Sequence, residues 1–240
     1  MDINALFGLR RGGFTAIVGC GGKTALMYLL AKKNNTSSVL IGTTTRIFPP
    51  PPGIFDRIVT PGDFLRRETG VALGFNGEQD GKLLPFPIGE LDRVRSFFDY
   101  TIFECDGSKN LPLKGWAEHE PAVPGFADVT IGVVSPCPTG EKISSKNTHR
   151  LDEFCAITGA APGDAVTPAH IASMVFHPRG MMQKAAGKKV LLINRVEDAV
   201  CEKYAEDIIS EMPQSFMNGL CLVITGSVLE EKFKVIYEKQ

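Results

Sequence analysis

The sequence has little that would direct it to a membrane, to nucleic acid or to a secreted fate. None of its apolar runs approaches the ~20 residues of a membrane-spanning helix. Its 26 basic and 27 acidic residues leave a formal net charge of −1, so no overall field favours nucleic acid or an anionic lipid surface. Residues 1–4 lack the basic and apolar segments of a signal peptide. We therefore expect a cytoplasmic protein with no nucleic-acid or membrane partner.

The cysteines and histidines also lack the spacings that mark disulfide frameworks or metal sites. None of the six cysteines forms a CxxC pair, and a chain of 240 residues does not need disulfides to fold. We expect reduced thiols, and we interpret four residues without metal-ligand spacing as structural: Cys137, His149, His170 and His177.

Short apolar runs alternate with amphipathic stretches along the chain. The runs are continuous, as is typical of strands covered on both faces, and they comprise residues 14–18, 39–41, 100–103, 129–134, 190–193 and 220–224. Helical periodicity appears over residues 23–33 and 199–211. This alternation predicts a three-layer α/β fold with a parallel sheet, formed by residues 1–240 as a single domain. Ligands bind such sheets beyond the carboxyl ends of the strands.

Residues 46–98 are irregular and rich in glycine and proline, so we expect an inserted flap there. Within it, residues 71–73 and 82–84 are expected to pair as a small hairpin. Residues 107–126 and 135–150 are expected to form long loops, which in compact domains are usually functional or mobile.

A glycine-rich segment follows the first predicted strand and opens a predicted helix. We call it the glycine loop; it comprises Gly19, Cys20, Gly21, Gly22, Lys23 and Thr24. Glycines allow a tight turn with inward N–H groups, the helix N-terminus favours phosphate, Lys23 would reach the outer phosphates and Thr24 would bind Mg²⁺. The first glycine lies four residues before the lysine instead of six, a short form that resembles the loop of the Mur ligases. The alternative is a glycine-rich turn that opens an ordinary helix.

Two carboxylates follow the strand predicted at residues 100–103. Glu104 and Asp106 are expected on the same side of the strand, where they would hold Mg²⁺ and support catalysis. The alternative is a solvated strand end. Thr44, Thr45 and Arg46 follow another strand and would contact nucleotide phosphate or metal, the alternative being a threonine run that favours β-structure.

Polar residues also follow the strand predicted at residues 190–193. Asn194 and Glu197 resemble the Asn-Lys-x-Asp element with which GTPases read guanine, but the acid is displaced, because Glu197 stands at the Asp position and Asp198 comes one residue late. The alternative is a strand-to-helix turn in which Asp198 caps the helix. Both ATP and GTP therefore stay open.

Four segments in order resemble the putative selenium-dependent hydroxylase accessory proteins of the YqeC type. They are VGCGGKT (residues 18–24), TTTR (43–46), ECDGS (104–108) and LPLKGWAEHEP (111–121). Cys20 and Cys105 depart from the residues usual in that family, without removing a charged group. Cys20 is expected either to be a reactive thiolate beside nucleotide or, like Cys105, simply to replace a small residue.

The resemblance implies a P-loop NTPase-like core and a role in maturing selenium-dependent molybdenum hydroxylases. The partners it implies are such a hydroxylase or its cofactor-assembly proteins. If the loop after the acidic strand folds over the phosphates, Lys114 is expected to bind the γ-phosphate or an anionic substrate, and His119 to act as a catalytic base or metal ligand. The alternative is a proline-bounded surface loop with scattered charges. We expect a Mg²⁺-dependent nucleoside triphosphatase or nucleotide-dependent transferase. The alternatives are a non-catalytic, nucleotide-gated binding or carrier protein, and a ligase or kinase that acts on a small molecule.

Overall fold

A nine-stranded sheet forms the centre of the fold in the computed structural model, which describes residues 2–63 and 67–239. The strand order is β13-β12-β11-β9-β1-β7-β2-β4-β3, with β13 antiparallel to β12 and the other neighbours parallel. The strands are β1 (Gly13–Gly19), β2 (Ser38–Thr43), β3 (Arg57–Val59), β4 (Gly70–Gly74), β5 (Glu78–Gln79), β6 (Lys82–Leu83), β7 (Tyr100–Glu104), β8 (Leu113–Lys114), β9 (Val129–Val134), β10 (Thr148–His149), β11 (Lys188–Asn194), β12 (Leu222–Ser227) and β13 (Lys232–Glu238). The helices are α1 (Ile3–Phe7), α2 (Lys23–Lys33), α3 (Ile88–Arg95), α4 (Leu151–Thr158), α5 (Pro168–Phe176), α6 (Ala199–Ser210) and α7 (Gln214–Met217).

The six strands predicted from apolar runs are confirmed as β1, β2, β7, β9, β11 and β12. Helices cover both faces of the sheet, which explains why these runs are continuous. One core cluster joins the sheet to α3–α7, and the other joins it to α1 and α2. The mixed α/β fold with a large, mostly parallel sheet agrees with the predicted three-layer architecture. None of the helices in the described residues is long and apolar enough to cross a membrane.

The hairpin predicted within residues 46–98 was wrong in its partners. Residues 71–73 belong to β4, which pairs in parallel with β2, whereas β6 pairs with β5. β3 joins the sheet beside β4. The prediction of a strand at residues 71–73 is confirmed. The glycines and prolines that follow it suggested a local turn and a local partner, whereas the actual partner, β2, is distant in sequence.

The two long polar loops that were predicted meet in a small second sheet. Leu113 and Lys114 (β8) pair in parallel with Thr148 and His149 (β10). Short pairing of this kind satisfies backbone groups that would otherwise be left without partners in a buried loop.

The placement of β1 determines where the loops meet. β1 lies between β7 and β9, with Ile17 opposite Glu104 and Gly19 opposite Val133. β11 lies on the far side of β9. Because parallel strands end at the same edge, the glycine loop, the acidic pair and Asn194 are brought to one edge of the sheet.

Candidate functional site

The glycine loop turns sharply from β1 into α2. Gly19, Gly21 and Gly22 have φ values of 105°, 102° and 126°, a region that side-chain-bearing residues rarely adopt. A Cβ atom on Gly21 would lie 2.8 Å from Cβ of Ser135. The glycines are therefore required both by the backbone conformation and by close packing against the loop that follows β9.

Lys23 is folded back into the loop and is almost fully buried, with 4% of its surface exposed. Its ammonium donates to the carbonyl of Gly19 at 2.6 Å and lies 3.4 Å from Glu104 Oε1 and 3.3 Å from Asp106 Oδ1. Burial alone would lower the pKa of Lys23, but Asp106 and Glu104 outweigh it and raise the pKa above its ordinary value. Lys23 is thus a buried, charged side chain held by two carboxylates.

Thr24 and Glu104 form a direct contact beside Lys23. The Thr24 hydroxyl donates to Oε2 of Glu104 at 2.7 Å. Thr24 lies at the start of α2, which follows β1, and Glu104 ends β7, which pairs with β1. A hydroxyl and a carboxylate oxygen in contact are the hard donors that Mg²⁺ accepts.

Asp106 is a fully buried carboxylate that contacts several polar groups of the site. It accepts from the backbone N–H of Gly19 at 3.0 Å and from the Trp116 indole N–H at 2.8 Å, and it lies 3.5 Å from Nζ of Lys114. Burial alone would raise the pKa of Asp106, but Lys23, Lys114 and these donors together lower it. Glu104 and Asp106 both contact Lys23, yet only Glu104 also contacts Thr24. Asp106 thus holds the glycine loop through Gly19 and Lys23, and its role as a metal ligand stays a prediction.

Lys114 is fully buried in the loop after the acidic strand. It donates to the Gly107 carbonyl at 2.6 Å and lies 3.4 Å from Glu120 Oε1, and Arg150 Nε lies 2.8 Å from Glu120 Oε2. Lys114 is therefore surrounded by protein acceptors, and its role at the phosphates stays a prediction. His119 is exposed, and within the described ranges no hydrogen bond or ion pair involves its side chain.

The threonines after β2 contact mainly the backbone around the acidic strand. The Thr43 hydroxyl donates to the carbonyl of Glu104 at 3.0 Å, and that of Thr44 donates to the carbonyl of Ala122 at 2.9 Å. Thr45 is half-buried. Arg46 is exposed and donates to Gln79 at 3.0 Å. Thr44 is thus engaged in the fold, and Arg46 points to the β5–β6 hairpin.

Asn194 connects the glycine loop to the neighbouring strands. Its side-chain amide donates to the carbonyl of Gly21 at 2.8 Å, and its oxygen accepts from the backbone N–H of Val228 at 2.9 Å. Glu197 accepts from the Ser227 hydroxyl at 2.7 Å. Asp198 caps α6 by accepting from the N–H of Cys201, which confirms the alternative interpretation of that residue.

The two cysteines inside the motifs are fully buried. Burial, only partly offset by Lys23, raises the pKa of Cys20 to about 12, and burial also raises that of Cys105. At Cys20 desolvation outweighs the nearby lysine, which favours the alternative in which this cysteine replaces a small residue.

Sequence reasoning missed two residues of this site, Ser108 and Trp116. The Ser108 hydroxyl lies 3.4 Å from Nζ of Lys23, and Trp116 donates to Asp106. Both lie within segments that carry the family resemblance, and Trp116 is the chain's single tryptophan. Their position in those segments was the signal that could have identified them.

Comparison with known proteins places these residues in a family. The model of the YqeC protein family matches residues 15–152, a range that includes the glycine loop, the acidic pair and the loop around Lys114. The YqeC protein of Escherichia coli (strain K12) is 32% identical over 191 residues, which cover 75% of each chain. No solved structure matches the chain. The chain belongs to the YqeC family.

Proposed function

We propose that this protein binds a Mg²⁺–nucleoside triphosphate at the glycine loop and has a P-loop NTPase-like core. The observation that carries the proposal is the contact between Thr24 and Glu104, at 2.7 Å, directly beside the buried Lys23. The loop amides and the N-terminus of α2 provide donors for phosphate. Lys23 lies within this site and exchanges its carboxylate partners for the outer phosphates when nucleotide binds.

The donor set is suited to Mg²⁺. Thr24 and Glu104 offer two oxygens, and Mg²⁺ at phosphate sites commonly takes one or two protein ligands and completes its shell with phosphate and water. The part of the chain that the structure describes holds no group of three or more His, Cys, Asp or Glu side chains that would form a dedicated cage. Mg²⁺ would supply charge neutralisation between the phosphates.

The biological role that we propose is cytoplasmic assistance in the maturation of selenium-dependent molybdenum hydroxylases. Its support is the family resemblance carried by residues 104–121 and by the glycine loop. The partner would be such a hydroxylase or one of its cofactor-assembly proteins.

One observation favours a nucleotide-gated binding protein as the second candidate. Lys23, Asp106, Lys114, Glu120 and Arg150 form a chain of alternating charges, in which successive partners approach within 2.8–3.5 Å. Withdrawal of Lys23 toward phosphate would remove one of the two cations that contact Asp106 in the described ion pairs, and so change the charge balance along the chain. Such a chain can transmit the nucleotide state to the loop at residues 107–121 without turnover.

A calorimetric titration with ATP and GTP, each with and without Mg²⁺, tests the proposal. We expect one triphosphate to bind with Mg²⁺ in one-to-one stoichiometry and to bind more weakly without the metal. Glu104→Gln should lose most of the Mg²⁺ dependence while retaining nucleotide binding, because the loop amides still hold phosphate. Phosphate release at saturating nucleotide then separates the triphosphatase from the gated protein. If neither ATP nor GTP binds, both the triphosphatase and the nucleotide-gated protein are ruled out.

A further inference from the structure

The loops after β11 and β12 border the glycine loop on the side opposite the proposed metal ligands. β7, which carries Glu104, and β9 flank β1 on its two sides, and β11 and β12 follow β9 in the sheet. The Asn194 amide, at the end of β11, donates to the carbonyl of Gly21 at 2.8 Å. A Cβ atom on Gly22 would collide with the same amide nitrogen. A nucleotide with its phosphates in the glycine loop and its metal beside Glu104 therefore has these two loops on its other side.

The two loops are tied to each other as well as to the glycine loop. The N–H of Val228 donates to the side-chain oxygen of Asn194 at 2.9 Å, and the N–H of Val196 donates to the carbonyl of Gly226 at 3.0 Å. β11 and β12 pair in parallel up to Asn194 and Gly226, so both loops leave the sheet at the same level. Polar side chains in these loops are therefore held in fixed positions relative to the glycine loop.

Glu197 is an exposed carboxylate that this arrangement holds in place. Its Oε1 atom accepts from the buried hydroxyl of Ser227 at 2.7 Å, and that hydroxyl accepts from the N–H of Glu230 at 3.1 Å. Among the described residues, no ion pair involves Glu197 and no hydrogen bond reaches its Oε2 atom. The carboxylate thus keeps acceptor capacity for a ligand while one of its oxygens is already fixed.

A carboxylate distinguishes the purine bases because it accepts hydrogen bonds and does not donate them. Guanine presents two neighbouring donors, N1–H and the amino group on C2, which a single carboxylate accepts together. Adenine presents an acceptor, its ring nitrogen N1, beside its amino group, so the same carboxylate would face a lone pair. A fixed carboxylate that contacts this edge of the base therefore favours guanine over adenine.

We propose that the ligand is a guanine nucleotide and that Glu197 accepts hydrogen bonds from its base, with Ser227 as the residue that positions the carboxylate. The inference rests on the proposed nucleotide site at the glycine loop, and it chooses between the two triphosphates considered for that site. Asn194 contributes by joining the loops that hold the base to the loop that holds the phosphates.

The first test compares GTP and ATP in calorimetric titrations of the full-length protein with Mg²⁺. We expect GTP to bind at least about tenfold more tightly than ATP, a discrimination typical of one bidentate contact to a base. Equal or tighter binding of ATP would overturn this inference and leave the nucleotide site at the glycine loop standing. Binding of neither triphosphate would overturn both.

Glu197→Gln tests the carboxylate itself. The glutamine oxygen still accepts from Ser227, but the amide nitrogen is a donor, so the variant should bind GTP at least about tenfold more weakly than wild type. It should bind xanthosine triphosphate more tightly than wild type does, because the C2 carbonyl of xanthine, which replaces the amino group of guanine, is repelled by a carboxylate.

Glu202→Gln is the matched control, because it changes an exposed carboxylate on α6, and it should keep the nucleotide preference of wild type. If Glu197 only braced Ser227, its replacement would weaken GTP, ATP and xanthosine triphosphate equally and leave their order unchanged. That result would overturn the proposal.

Discussion

At the scale of single residues, Asp106 holds the candidate site together. It is fully buried and shared by two lysines, one backbone amide and one indole. The sequence predicted a carboxylate on this side of the strand, with a role at Mg²⁺ that stays a prediction. It did not predict the protein groups around Asp106, because alternation along a strand indicates the side on which a residue lies and not its partners. Those partners come from the loop at residues 107–121, whose path the sequence did not predict.

We expect Asp106→Asn to destabilise the protein by about 3 kcal/mol at neutral pH, the low end for breaking a buried ion pair, since Glu104 and Glu120 still compensate the lysines. The pKa of Asp106 is lowered by folding, so its contribution is complete above the unfolded pKa and is lost as the pH falls through the folded pKa. The difference in unfolding free energy between wild type and variant should therefore be constant near neutrality and shrink below about pH 4. Urea unfolding at several pH values measures it, and a difference that grows on acidification would contradict the assignment.

Asn194 makes a second prediction at this scale. Asn194→Ala would leave the Gly21 carbonyl and the Val228 N–H without their side-chain partner, which should cost about 2–3 kcal/mol of stability. Asn218→Ala removes an exposed amide that contacts only the side chain of Gln214 in the described hydrogen bonds, and it should stay within about 0.5 kcal/mol of wild type. Denaturant unfolding compares the two variants, and equal stabilities would show that Asn194 does not support the loop.

At the scale of elements, continuous apolar runs predicted the central strands because both faces of those strands are covered by helices. The same signal failed for β3, and for β4 it gave the strand but not its partner, because both strands are short and lie among glycine and proline. β8 and β10 have two residues each, too few for any periodicity to appear. Their pairing depends on contacts between distant loops, which local sequence does not encode.

The glycine loop itself carries a prediction. In Gly19→Ala the new Cβ would press on the carbonyl oxygen of Val133 at a φ of 105°, so the variant should lose about 2–4 kcal/mol of stability. Gly107 has open space around its Cβ position and no positive φ, so Gly107→Ala is the matched control and should fold normally. Thermal unfolding distinguishes them, and a fully stable Gly19→Ala protein would disprove the tight packing of the loop.

At the scale of the whole molecule, the sheet order explains why motifs far apart in sequence form one site. β1 lies between β7 and β9, with β11 next to β9, so residues near positions 20, 104, 135 and 194 meet at one edge. The family model ends at residue 152, before Asn194. The second half of the chain nevertheless contributes a direct contact to the glycine loop.

We propose that the glycine loop binds a nucleoside triphosphate through Lys23, and a Mg²⁺–nucleotide titration of Lys23→Gln by calorimetry measures this dependence. Glutamine keeps a donor for the Gly19 carbonyl but removes the charge, and circular dichroism confirms that the variant is folded. We expect the affinity of Lys23→Gln to fall at least about tenfold, the loss expected for one charged hydrogen bond. Lys109→Gln, which changes an exposed lysine in the adjacent turn, should bind like wild type. Equal affinity of wild type and folded Lys23→Gln would show that Lys23 does not hold the nucleotide.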